Sequence, residues 1–135
     1  MNITIIDGQG GLLGSQLVKE IKNRFNDVCI TAVGTNSFAT SAMLKAGADF
    51  AATGENPVIV ACRKSDVIVG PVGIVIADSM HGEITPAMAV AVGQASGVRI
   101  LIPMNKCENL VAGVKSVSTS SLIEDVLEKL SQIVK

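Results

Sequence analysis

Short apolar runs alternate with amphipathic segments along most of the chain. Residues 3–6 are rich in isoleucine, which is typical of a strand buried on both faces. From about residue 11 to residue 24, apolar side chains recur at spacings of three and four, which predicts a helix with one buried face. Repeated alternation of this kind predicts one parallel sheet covered by helices.

The same pattern predicts the remaining strands and helices. We expect strands at residues 28–33, 48–52, 66–70 and 98–102, and a sixth at an edge over residues 110–114. We expect helices at residues 37–46, 57–64, 86–96 and 121–134. Residues 71–80 suit either a strand or a buried helix. We favour a helix, because parallel neighbours need a crossover connection.

Capping residues mark where several of these helices begin. Either Thr35 or Asn36 can be the N-cap of the second helix, and Asn56 and Thr85 each precede a proline that suits the first helical position. Ser121 and Glu124 have the spacing of a capping box for the last helix. No linker or repeat divides the chain, so residues 1–135 are expected to form one domain.

Composition and charge exclude several classes of function. The net charge of -1 gives no basic surface for nucleic acid. The longest apolar stretch, residues 67–77, is too short to span a membrane, and the N-terminus does not resemble a signal peptide. The three cysteines, Cys29, Cys62 and Cys107, lie far apart, which favours free thiols and a cytoplasmic protein.

A glycine-rich turn connects the first strand to the first helix. It contains Asp7, Gly8, Gln9, Gly10 and Gly11, and Gly14 follows one helical turn later. This stretch resembles the opening of a Rossmann-type unit, although the glycine spacing departs by one residue from the strict fingerprint. The resemblance implies a three-layer, Rossmann-like, open and mostly parallel sheet of five or six strands with helices on both faces.

The turn predicts a site for a phosphate-containing small molecule. Gly8 would permit the turn, Gly10 would let the backbone approach a phosphate, and Gly14 would let the helix pack on the strand. The start of the helix would supply N–H groups. Two alternatives remain: the glycines only form a tight turn, and Asp7 only accepts hydrogen bonds from the loop.

Two further loops carry small polar residues where strands end. Gly34, Thr35 and Asn36 follow the second strand, and Thr53 and Gly54 follow the third. The second loop lacks the acidic residue that usually binds a ribose hydroxyl of NAD, and it lacks an arginine for NADP. These residues either bind a ligand together with the glycine turn or only cap helices.

Residues 78–83 contain the one group of side chains that is typical of catalysis. His81 is the sole histidine, and it lies between Asp78 and Glu83. These three residues are weak candidates for acid–base catalysis. Asp78 and His81 would share a helical face if a helix extended that far. A polar surface loop is the stronger alternative. Lys106 and Cys107 follow the fifth strand as weaker candidates for phosphate contact and for a reactive thiol.

Several stretches together resemble an uncharacterised bacterial family, a domain of unknown function of about this length. The matching stretches are IDGQGG at residues 6–11, GTN at 34–36, ATSAMLKAGA at 39–48, ATGEN at 52–56, DVIVGP at 66–71, GEITP at 82–86 and IP at 102–103. The resemblance covers nearly the whole chain and implies a shared fold, but no activity or catalytic residue.

Three hypotheses for function follow. The chain binds a nucleotide or dinucleotide, such as NAD(P), without strong catalysis. Alternatively, it is a small NAD(P)-dependent oxidoreductase whose active site is completed in a homodimer. In the third hypothesis it is a structural homo-oligomer, because only 17% of its residues are charged. We favour the first hypothesis and expect a homo-oligomer.

Overall fold

The computed structural model describes residues 1–104 and 108–134. Within these residues, five strands and five helices alternate. The strands are β1 (Asn2–Asp7), β2 (Cys29–Gly34), β3 (Phe50–Thr53), β4 (Val67–Pro71) and β5 (Val98–Ile102). The helices are α1 (Leu12–Arg24), α2 (Ser37–Lys45), α3 (Glu55–Lys64), α4 (Pro86–Gln94) and α5 (Thr119–Ile133).

The strands form one parallel sheet in the order β3-β2-β1-β4-β5. This is the strand order of a Rossmann-type sheet, so the predicted fold class is confirmed with five strands. Asp7 pairs with Gly34, and Gly34 pairs with Thr53. The loops after β1, β2 and β3 therefore begin side by side at one edge. The strand order reverses between β1 and β4, and ligands of open α/β sheets bind at such a point.

Helices cover both faces of the sheet. Helices α1, α2 and α5 bury one face with side chains such as Leu17, Met43 and Leu127. Helices α3 and α4 bury the other face, together with Ile74 and other apolar residues between β4 and α4. Strands β1 and β4 are buried along nearly their whole length, which explains their continuous apolar sequences.

The predicted helix over residues 71–80 is wrong. Strand β4 continues to Pro71, a short 3-10 turn spans Val72–Val75, and irregular turns follow as far as residue 83. Left-handed backbone at Asp78, Met80 and His81 is incompatible with a right-handed helix there. Helix α4 alone supplies the crossover from β4 to β5, so the parallel pairing of these strands requires no second helix at residues 71–80.

Three smaller predictions also need correction. Residues 110–114 form no strand, and Leu110 is 95% exposed. Helix α3 begins at Glu55 with Gly54 as its N-cap, so the predicted start at residue 57 is too late. Helix α5 begins at residue 119, because Ser118 accepts a hydrogen bond from the Ser121 N–H and serves as its cap.

Other predicted boundaries are confirmed. Asn36 caps α2 by accepting a hydrogen bond from the Ala39 N–H. Thr85 caps α4, and Pro86 is its first residue. Among the helices described, none combines the length and the apolar character that crossing a membrane requires.

Candidate functional site

Asp7 lies beneath the glycine-rich turn and is 2% exposed. Its Oδ1 accepts a hydrogen bond from the Gly8 N–H at 2.8 Å, and its Oδ2 accepts one from the Gly14 N–H at 2.7 Å. Gly11, the N-cap of α1, has left-handed backbone and no side chain to act as a cap. Asp7 therefore does from the strand what a capping side chain normally does from the N-cap position.

Two glycines of this region are required by close packing. A Cβ on Gly11 would lie 2.7 Å from the Ala39 Cα, so helices α1 and α2 approach each other closely there. A Cβ on Gly14 would lie 2.6 Å from the Met43 sulfur and 2.8 Å from the Asp7 Cβ. Gly10 differs, because a Cβ there would meet no atom within 4 Å. The turn thus presents open space in front of α1 at Gly10.

Glu83 reaches the same edge of the sheet from the segment between β4 and α4. Its Oε1 accepts hydrogen bonds from the Gln9 N–H at 2.9 Å, from the Thr35 hydroxyl at 2.5 Å and from the Asn36 side-chain amide at 2.8 Å. One carboxylate oxygen thus joins the loops that follow β1 and β2. The acidic residue that the sequence lacked after β2 is supplied from 47 positions further along the chain.

The two carboxylates have pKa values shifted in opposite directions. Burial raises the pKa of Asp7 against the effect of its two backbone hydrogen bonds, and the negative charge of Glu83 raises it further. Burial also acts to raise the pKa of Glu83. The hydrogen bonds from Thr35, Gln9 and Asn36, with a smaller contribution from His81, outweigh it and hold that pKa below its usual value.

The segment that carries Glu83 is held by packing under backbone strain. Met80 is buried, and its sulfur would lie 2.7 Å from a Cβ added to Gly8. Gly8 is therefore the position that lets the segment close over the turn. Left-handed backbone at non-glycine residues is uncommon and unfavourable. It occurs in this segment at Asp78, Met80 and His81.

The loop after β3 joins the same edge through separate contacts. The Gly54 N–H donates to the Gly34 carbonyl at 2.9 Å, and the hydroxyls of Thr40 and Thr53 lie 2.7 Å apart. These bonds tie the third loop to the second. The three loops therefore form one rim, in which Glu83 joins the first loop to the second.

The candidate catalytic residues are not brought together. Asp78 and His81 are exposed and share no helical face, which corrects that expectation, since the segment forms turns. Glu83 alone of the three reaches the glycine turn. Lys106 and Cys107 lie outside the described residues. Within the described ranges, no group of three or more metal-ligating side chains could hold a metal ion.

Three backbone N–H groups at the start of α1 have no acceptor in residues 1–104 and 108–134. They belong to Gly10, Leu12 and Leu13. The N–H groups of Gly8, Gln9 and Gly14 are already bonded to carboxylates, so the donors left for a ligand are those of Gly10 and of the first two residues of α1. An unpaired helix N-terminus attracts anions through its N–H groups and its dipole.

Sequence analysis missed the contribution of Met80. The single apolar residue among the polar residues 78–83 was the available signal for Met80. The position of Glu83 had no local signal, because its partners are distant in sequence.

The parallel sheet, the glycine-rich turn and the helix that starts there define a Rossmann-like α/β protein. The chain belongs to the family described as Domain of unknown function (DUF3842), whose model matches residues 2–135. The resemblance to such a family is therefore confirmed.

Comparison with other known proteins supports the fold. No curated protein matches the chain in sequence. A crystal structure of a dodecameric FMN-dependent UbiX-like decarboxylase from Escherichia coli O157:H7 is similar, with a TM-score of 0.50 and 13% sequence identity. The match covers 97% of this chain and 94% of the other. At this identity the similarity establishes a common fold.

Proposed function

We propose that this protein binds a nucleotide or dinucleotide, with a phosphate group at the start of α1. The observation that carries the proposal is the set of N–H groups on Gly10, Leu12 and Leu13 that lack acceptors in the described chain. They lie beside the point where the strand order reverses. Phosphate groups bind helix N-termini at this position in open α/β sheets.

The neighbouring carboxylates define where the phosphate binds. Glu83 already occupies the Gln9 N–H, so a phosphate near Gln9 would meet a negative charge. Asp7 lies under the turn, with both oxygens directed to backbone donors. The phosphate therefore binds on the α1 side, where Gly10 leaves open space. Residues of the second and third loops, including Thr53 and Gly54, form the rim beside the rest of the ligand.

Thermal melting with a panel of ligands tests this proposal. The panel contains NAD, NADP, ATP, coenzyme A and FMN, the last because the structurally similar decarboxylase depends on FMN. A ligand at 100 times its Kd stabilises the folded state by about 2.7 kcal/mol, which raises Tm by several degrees. Native mass spectrometry of the freshly purified protein would identify a nucleotide that co-purifies.

A pair of glycine variants makes the test specific to the turn. Gly10→Leu places a side chain in the open space before α1, and Gly93→Leu places the same side chain in open space on α4. Gly10→Leu is expected to remove the ligand-induced rise in Tm, and Gly93→Leu to preserve it. If no phosphate ligand shifts Tm of the unmodified protein, or if Gly10→Leu responds as well as Gly93→Leu, the proposal is wrong.

We also propose that the protein forms a homo-oligomer. Phe50 is 64% exposed and lies on β3, an edge strand of the sheet, and an exposed apolar edge strand is a template for pairing with another chain. Sedimentation velocity at low micromolar concentration tests this. A monomer across the whole concentration range would contradict it.

A further inference from the structure

We infer that Glu83 is the specificity-determining residue of this site and selects a nucleotide whose ribose carries free hydroxyl groups, a role that rests on the nucleotide binding proposed above. Glu83 joins the first two loops through its hydrogen bonds to Gln9, Thr35 and Asn36. Its chemistry and its place in the sheet together indicate the kind of group it recognises.

The two oxygens of the Glu83 carboxylate are in different situations. Oε1 accepts three hydrogen bonds, from Gln9, Thr35 and Asn36, which fills its acceptor capacity. No donor from the described part of the chain reaches Oε2. An ionised carboxylate accepts hydrogen bonds and donates none, so Oε2 suits a ligand hydroxyl.

The carboxylate lies where a ribose would be. In Rossmann-type sites, an acidic residue at the end of the second strand accepts hydrogen bonds from the ribose, while the phosphates lie at the start of the first helix. Here β2 ends at Gly34, and Thr35 and Asn36 follow without an acid. Both donate to Glu83, so they position a carboxylate at the end of β2 in place of a local acid.

The charges around Glu83 disfavour a phosphorylated ribose. Asp7 lies beneath the turn, close enough for the charge on Glu83 to raise its pKa, so a second acidic group lies near this space. The ion pairs of lysine and arginine found in the described residues involve neither carboxylate. Among residues 1–104 and 108–134, His81 is the basic group that acts on Glu83, and it is exposed. A 2′-phosphate would therefore meet repulsion without a compensating arginine.

Glu83 is a fixed acceptor rather than a mobile side chain. Buried Met80 anchors the segment against Gly8, and the Glu83 N–H donates to the Met80 carbonyl at 3.1 Å. The left-handed backbone at Asp78, Met80 and His81 persists because the packing of Met80 holds it. A rigid acceptor discriminates between a hydroxyl and a phosphate better than a flexible one does.

Calorimetric titration with matched nucleotides tests the inference. ATP is compared with 2′,3′-dideoxy-ATP, and NAD with NADP, so that each pair differs only at the ribose hydroxyls. The unmodified protein is expected to bind the first member of each pair about 10- to 100-fold more tightly, the range for a hydrogen bond to a charged group. In Glu83→Gln the preference within both pairs is expected to fall below about threefold.

A control variant and a folding measurement accompany the titration. Glu124→Gln removes a carboxylate that is also hydrogen-bonded, to Arg24, but lies on α5 away from the rim, and it should keep the preference. Circular dichroism shows whether Glu83→Gln is folded. If it is not, Glu83→Asp serves instead, because it keeps the charge but withdraws the acceptor by one methylene, and it should lower the preference without reversing it.

The outcomes separate the two proposals. If the unmodified protein binds none of the four nucleotides, the role of Glu83 fails, and if the thermal melting panel also gives no shift, the proposed function fails with it. If it binds them but Glu83→Gln discriminates equally well, only the role of Glu83 is overturned. Tighter binding of all four nucleotides to Glu83→Gln would also overturn it, since Glu83 would then merely occupy the ligand's place.

Discussion

Replacing Gly14 by alanine tests how the structure positions the start of α1. A Cβ at this residue would lie 2.6 Å from the Met43 sulfur and 2.8 Å from the Asp7 Cβ. Both distances are shorter than the separations that packed, non-bonded heavy atoms adopt. The methionine can move, but the Asp7 Cβ is fixed to strand β1. Helix α1 must therefore shift away from β1, which also lengthens the 2.7 Å bond from the Gly14 N–H to Asp7.

The cost follows from three terms. Overpacking a well-filled core costs about 1–3 kcal/mol. Weakening the hydrogen bond to a buried carboxylate adds about 1 kcal/mol. Alanine is better than glycine inside a helix and returns up to about 1 kcal/mol. The net expectation is a loss of about 2 kcal/mol, or a Tm lower by about 8 °C for a chain of this size.

Gly93→Ala is the matched control. Gly93 also lies in a helix, α4, but a Cβ there would meet no atom within 4 Å, so only the gain in helix propensity remains. This variant should be more stable by up to about 1 kcal/mol. The chain has no tryptophan or tyrosine, so urea unfolding is followed by circular dichroism at 222 nm. Equal or greater stability of Gly14→Ala, compared with the unmodified protein, would refute the close packing of α1 on β1.

Three further predictions concern single groups. Asp7→Asn should destabilise the fold by about 1–3 kcal/mol, because one buried N–H loses its acceptor. Since burial raises the pKa of Asp7, the unmodified protein loses stability from this group as pH rises through the folded pKa. Urea unfolding from pH 4 to 8 should therefore show a shrinking difference in unfolding free energy between the unmodified protein and Asp7→Asn. Thr85→Ala should cost about 1 kcal/mol through loss of the α4 cap, and Thr85→Ser should restore it in the same assay. Burial raises the pKa of the Cys62 thiol to about 11, so iodoacetamide at pH 8 should leave it unmodified by peptide mass mapping, and rapid labelling of the native protein would contradict its burial.

The regular elements were predictable where local signals agreed. Helix α2 has a capping asparagine at residue 36, and α4 has Thr85 followed by proline, so both starts were predictable. Strands β1 and β4 are buried on both faces, and their continuous apolar sequences showed this directly. Pro57 gave the wrong start for helix α3. Proline is tolerated anywhere in the first turn, where the N–H groups are unpaired in any case, so it does not mark the first residue.

The wrong predictions share a physical cause: tertiary contacts, rather than local sequence, determined the structure at these residues. Glu124 was expected to complete a capping box, but it forms a two-bond ion pair with Arg24 on α1 instead. Apolar residues at 110–114 suggested a strand, yet these residues pair with no strand of the sheet and are largely exposed. Ile74 is buried in the cluster beneath α4, so its apolar character reflects packing rather than helical periodicity.

The wrongly predicted segment between β4 and α4 is also the part of the chain that shapes the candidate site. A helix over residues 71–80 would have carried Met80 on regular backbone. The left-handed residues instead turn the chain so that Met80 packs on Gly8 while Glu83 contacts the loops after β1 and β2. Strain of this kind is unfavourable unless surrounding contacts enforce it, and such strain clusters at binding sites. The left-handed backbone that made the helix prediction for residues 71–80 wrong therefore also places an acidic residue at the end of β2, where the local sequence has none.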